Sequence, residues 1–213
     1  MTATLQRPPR WERRKESRPA ELLDAALDLF VERGFAATRL EDVAHQAGVS
    51  KGTLYLYYEN KAELFKAVVR ENIVPLIEEA RALIERSDEP SPLLLERFFF
   101  DWWKRFGSTK LSGILKLVIA EAGNFPEVAQ FFRKEVAIPD RVLLSSIIHR
   151  GIKRGEFELT DVDAAVQAWI APLVVKAIMM NSLDARQPCE SQISPERMLR
   201  THIELILKAI QKF

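Results

Sequence analysis

TRLEDVAHQAGVSKGTLYLYYENK, running from Thr38 to Lys61, is the stretch from which the fold can be read. Two short segments with apolar residues at helical spacing flank Gly48, and glycine admits the positive φ that a sharp turn between crossing helices requires. Val43, Ala44 and Ala47 recur on one face, and the small alanines allow close approach of a second helix; Val49 and Leu54 complete a small core. The starts carry caps. Thr38 with Glu41 has capping-box spacing, Ser50 follows the turn glycine, and Asn60 with Glu63 repeats the cap-plus-acid arrangement. The expectation is a supporting helix over Leu40 to Ala47 and a presented helix over Lys51 to Tyr57.

Working outward, a preceding helix is expected from about Pro19, with Leu22, Leu23, Ala26, Leu27 and Phe30 on one face and a stop at Arg33-Gly34. After Asn60 a long helix carries Leu64, Phe65, Val68, Ile73 and Ile77, bends at Pro75 and fades near residue 85. Ser91-Pro92, Thr109 or Ser112, Phe125-Pro126, Thr160-Asp161 and Ser194-Pro195 open five further helices, the third bent at Pro139; residues 184–194, with Cys189, read as an exposed loop. The chain is therefore expected to be all-α, with about nine helices. Its parts are a basic arm (1–18), a helix-turn-helix domain (19–65, its linking helix continuing to about 85) and a larger helical domain (86–213).

Charge is informative in its distribution rather than its sum. Lys+Arg (31) nearly balance Asp+Glu (30), but residues 1–18 hold Arg7, Arg10, Arg13, Arg14, Lys15 and Arg18 against Glu12 and Glu16. A single cysteine cannot close an internal disulfide, which fits a reducing compartment. No apolar stretch backs the basic N-terminus as a secretory signal would, and the apolar run from Ile170 to Met180 is broken by Pro172 and Lys176. A soluble, cytoplasmic protein without membrane attachment is expected. His45, His149 and His202 show no metal-ligand spacing, and no glycine-rich phosphate loop occurs. Neither metal, cofactor nor enzyme activity is expected.

The ordered run Arg33-Gly34-Phe35, Ala37-Thr38, Val43-Ala44, Ala47-Gly48-Val49-Ser50-Lys51-Gly52-Thr53-Leu54-Tyr55, Tyr57-Tyr58 and Lys61 resembles the tetracycline-repressor (TetR) family of bacterial regulators. The family commonly carries phenylalanine where Tyr58 stands. The resemblance implies a homodimer on a palindromic double-stranded DNA operator, with Ser50, Lys51, Gly52, Thr53, Tyr55 and Tyr57 on the surface entering the major groove and Thr38 and Lys61 at phosphates. The chemistry of these residues agrees: hydroxyls and a lysine at a helix N-terminus suit phosphate oxygens, Thr53 offers a hydroxyl and a methyl, and bare Gly52 allows close backbone approach. Tyr55 and Tyr57 remain open between DNA contact and core packing, Tyr58 is expected in the core, and the basic arm remains open between a groove contact and a solvated tail.

The second half is rich in aromatics between Phe98 and Phe132, which either fill a helical core or line an apolar cavity. The candidate lining is Trp103, Phe106, Leu115, Ile119, Trp169 and Met179, implying a small hydrophobic or aromatic effector that releases a repressor from DNA. The last two helices present long apolar faces, which in the family form the dimer interface.

Overall fold

The computed structural model describes residues 10–182 and 193–211, with residues 10–18 as backbone only. Two compact units divide at Val68/Val69, inside a helix.

The first unit contains α1 (Arg10–Arg33), α2 (Leu40–Gln46), α3 (Lys51–Tyr57) and the start of α4 (Lys61–Asn72). α1 begins at Arg10 rather than at Pro19, which lies inside the helix. The strong helix formers of the WERRKES segment outweigh the hydrogen bond that Pro19 cannot make. The expected tail over 10–18 is thus helical, while residues 1–9 of the basic arm lie outside the described residues. The core is built around three phenylalanines: Phe30, Phe35 and Phe65 have ring centroids 5.7–5.9 Å apart in stacked and edge-on pairs. Leu22, Ala26, Val43, Leu54 and Leu64 close around them. Gly34 (φ 85°) ends α1 and Gly48 (φ 66°) turns α2 into α3, as the sequence required.

The second unit follows with α5 (Val74–Arg86), α6 (Ser91–Trp102), α7 (Gly113–Glu121), α8 (Pro126–Phe132), α9 (Ile138–Lys153), α10 (Val162–Met180) and α11 (Pro195–Ile210). α4 and α5 are separated only by Ile73, two residues before Pro75. α6 runs into a π-helical turn at Trp103–Gly107, and a second π turn, Arg133–Ala137, joins α8 to α9 just before Pro139. With α4–α5 and α8–α9 each counted as one helix, the described residues form nine helices. Side-chain caps form where the sequence placed them: Asp161 accepts from the Ala164 amide (3.0 Å) and Ser194 from the Arg197 amide (3.2 Å). The expected loop over 184–194, apart from Ile193 and Ser194, lies outside the described residues.

α10 corrects one expectation. Its 19 residues are long and apolar enough, by length and composition, to cross a bilayer, because Pro172 and Lys176 sit within the helix without ending it. It nevertheless packs on α7, α9 and α11 within the second unit.

Candidate DNA interface and ligand cavity

α3 is held by Leu54, which is fully buried, while its remaining side chains project outward. Ser50 caps the helix: its hydroxyl oxygen accepts from the Thr53 amide at 3.1 Å and pairs with the Thr53 hydroxyl at 2.8 Å. A Cβ added at Gly52 would have only the Ser50 hydroxyl oxygen nearby, at 3.8 Å, so no packing inside the chain calls for a glycine there. Tyr55 and Tyr57 are 44% and 38% exposed, which places both rings on the surface and not in the core. Tyr58, expected in the core, is half-buried beside Tyr57.

Lys51 is exposed but occupied. Its ammonium pairs with the Glu41 carboxylate of α2 at 2.5 Å and lies 5.8 Å from the centre of the Tyr55 ring. The shared hydrogen bond holds the Glu41 carboxyl below its ordinary pKa and raises that of Lys51. Replacing Glu41 with Gln is expected to strengthen DNA binding about threefold at low salt, because Lys51 then meets phosphate without first leaving a carboxylate. A fall in affinity in a filter-binding or anisotropy titration would instead make Glu41 a support that aims the lysine.

Thr38 and Lys61, expected at phosphates, each have partners within the chain. Thr38 is 1% exposed, and its hydroxyl donates to the Gly34 carbonyl (2.7 Å), with the Leu29 carbonyl at 3.2 Å. It therefore fastens the end of α1 and does not cap α2, whose N-cap residue is Arg39. The Lys61 ammonium donates to the carbonyls of Phe35 (2.5 Å), Ala36 (2.9 Å) and Thr38 (3.0 Å) and sits 4.7 Å from the centre of the Phe35 ring. A group whose three protons are taken by backbone oxygens is a bracket for the α1–α2 turn. Two further surface residues stand out. Leu56 is 84% exposed between the two tyrosines, and Arg39 is exposed at the start of α2. The exposed leucine is invisible to pattern reading, because an apolar residue in a helix is taken as core.

The second unit encloses a cavity of about 500 Å³, within the range of small-molecule sites. Phe106, Leu115 and Ile119 line it, as the sequence suggested. Trp103, Trp169 and Met179 do not. Trp103 is buried one position round the helix from the ring that does line the cavity, Trp102. Trp169 is half-buried with its carbonyl 2.8 Å from the His202 ring on α11, and its neighbour Ile170 faces the cavity. Met179 is 38% exposed. Phe98, Phe132 and Val136 complete the apolar wall.

Residues 22–68 match the family model for bacterial regulatory proteins of the tetR family, and residues 95–188 match the tetracyclin repressor-like C-terminal domain. The chain belongs to the TetR family. It is accordingly a DNA-binding transcriptional regulator of helix-turn-helix type and not an enzyme. The TtgR transcriptional regulator of Pseudomonas putida is 26% identical over 179 residues, 79% of this chain and 83% of that one. Among solved structures, the FadR regulator of Bacillus subtilis in complex with stearoyl-CoA superposes with a TM-score of 0.75 at 21% identity, covering 90% of this chain and 99% of that one. A regulator from Saccharomonospora viridis in complex with choline gives 0.76 at 19% identity, covering 93% and 100%. At such identities the TetR fold is what the two structures share with this chain.

Proposed function

We propose that this TetR-family member is a homodimeric repressor, released from a palindromic operator in the cytoplasm when a small, largely apolar effector fills the cavity of the second unit. The observation that carries the DNA reading is the outer surface of α3: Lys51, Tyr55, Leu56 and Tyr57 are all exposed on a helix whose inner anchor, Leu54, is buried. Lys51 and the exposed Arg39 supply phosphate contacts, while Gly52, Thr53, Leu56 and the tyrosines offer shape, hydroxyls and apolar surface to base edges and thymine methyls. Stearoyl-CoA and choline in the two solved relatives support a fold that encloses small molecules of very different polarity. The apolar wall of this cavity supports an effector with a hydrophobic or aromatic body.

Dimerisation is supported by what α10 and α11 leave uncovered. Val175, Met179 and Leu205 are 53%, 38% and 63% exposed, and two symmetry-related recognition helices must reach successive major-groove faces about 34–36 Å apart. Leu205→Asp is expected to turn the dimer into a monomer in sedimentation velocity, with loss of operator binding. An unshifted sedimentation coefficient would move the interface elsewhere.

The test of the whole reading is titration onto DNA from upstream of the protein's own gene against random competitor, followed by a search of genomic fragments. Saturable binding that outlasts the competitor and is reversed by a ligand occupying the cavity is the expected result. No preference for any genomic fragment would overturn it.

A further inference from the structure

We propose that the cavity selects a cationic amphiphile, an apolar or aromatic body carrying an amine, and that the Asp140 carboxylate of α9 is the group that holds its ammonium; this rests on the reading of the cavity as the effector site. Six charged side chains contribute to the wall: Glu79 from α5, Asp101 and Arg105 from α6 and its π turn, Arg133 from the second π turn, and Asp140 and Arg141 from α9. Five of them are exposed, and Glu79 and Arg105 satisfy each other at 2.6 Å. Asp140 alone of the six is half-buried, and the charge that acts on it is that of its neighbour Arg141.

A carboxyl in an apolar wall resists ionisation. Burial pushes the Asp140 pKa up to about 7, and Arg141 offsets this only in part. Near neutral pH the group is therefore poised between a neutral acid and a carboxylate that Arg141 only partly compensates. An ammonium brought in on an apolar body resolves that frustration, since it draws off the proton and completes a charge-assisted hydrogen bond in a poorly solvated place. A carboxylate ligand would meet Asp140 as a repulsive neighbour, leaving only the exposed arginines to attract it.

The experiment compares phenylbutylamine, phenylbutanol and phenylbutyrate by calorimetric titration of the full-length protein, its Asp140→Asn variant and a Val118→Trp variant that fills the cavity. Expected are binding order amine, alcohol, carboxylate; a loss of about tenfold or more for the amine in Asp140→Asn with the alcohol unchanged; and loss of all binding in Val118→Trp. The wild-type affinity for the amine should also fall about tenfold between pH 8 and pH 6 as Asp140 is protonated, while the amine keeps its charge. This profile is read on the unaltered chain, so it decides the matter even if Asp140→Asn were misfolded. Equal binding of the three probes, or a pH-independent amine affinity, overturns the anchor but leaves the cavity reading intact. Binding of no probe, or binding untouched by Val118→Trp, overturns the cavity reading and the anchor with it.

Discussion

A Lys51→Ala, Tyr57→Ala double variant is expected to bind operator DNA at least about 100-fold more weakly than the wild type, with its melting temperature nearly unchanged. Both side chains stand on the exposed surface of α3, whose hold on the unit is Leu54, so removing them leaves the core as it was. Loss of the Lys51 charge removes one phosphate partner and should flatten the plot of log affinity against log salt by about one unit. The loss from Tyr57→Ala should be less sensitive to salt, because a phenol contributes contact area and a neutral hydrogen bond. Thr38→Val makes the opposite comparison. Its buried hydroxyl serves two backbone carbonyls, so its removal should lower the melting temperature while leaving the affinity of the folded protein nearly intact. Titration across salt concentrations beside thermal melts checks both halves. A double variant that binds like the wild type would remove α3 from the interface.

The contrast between these residues shows what a sequence can convey. The turn at Gly48, the buried faces of α2 and α3 and the caps at Ser50, Asn60, Asp161 and Ser194 were legible, since each depends on a few neighbouring residues. The intrachain partners of Thr38 and Lys61 were not legible, because they are carbonyls brought near by the turn after α1, in the case of Lys61 23 to 26 residues away. A hydroxyl or an ammonium in a motif looks the same on paper whether it faces solvent or a carbonyl. In the second unit the aromatic wealth was legible but its register was not. Leu94, Phe98, Trp102 and Phe106 follow one another at a spacing of four and share the wall, while Trp103, three residues before Phe106, is buried away from it; a 3.6-residue repeat admits either ring. The Trp102 and Phe106 rings touch edge-on at 5.4 Å, a pairing that regular helical counting also allows but does not aim at a cavity. Gly107 makes room for this arrangement: an added Cβ would lie 2.7 Å from the Trp103 ring and 2.8 Å from that of Trp102.

Gly151→Ala is expected to destabilise the second unit by about 3 kcal/mol, lowering the melting temperature by roughly 10 °C in a chain of this size. In an ordinary helix the same change would gain about 1 kcal/mol. Here the new Cβ would fall 2.1 Å from Cδ2 and 2.5 Å from Cε2 of Phe157, a ring only 2% exposed. The ring has little freedom to retreat. The Glu156 and Phe157 amides both donate to the Gly151 carbonyl, at 2.9 and 3.2 Å, and the next amide, of Glu158, donates to the Ile210 carbonyl at the end of α11 at 2.7 Å. The segment after α9 is thus tied to its own helix on one side and to α11 on the other, and the alanine methyl must displace either the ring or those bonds. Gly123→Ala, where an added Cβ meets nothing within 4 Å, is the control and should leave the melt where it is. The clash can also be relieved from the other side. Phe157→Ala alone should cost about 3–5 kcal/mol as a cavity, yet combined with Gly151→Ala it should cost clearly less than the sum, since the methyl then occupies space that the ring has vacated. Strict additivity in calorimetric or denaturant melts would mean that the ring and the glycine are not in the contact described, and the junction of α9 with α11 would have to be held in another way.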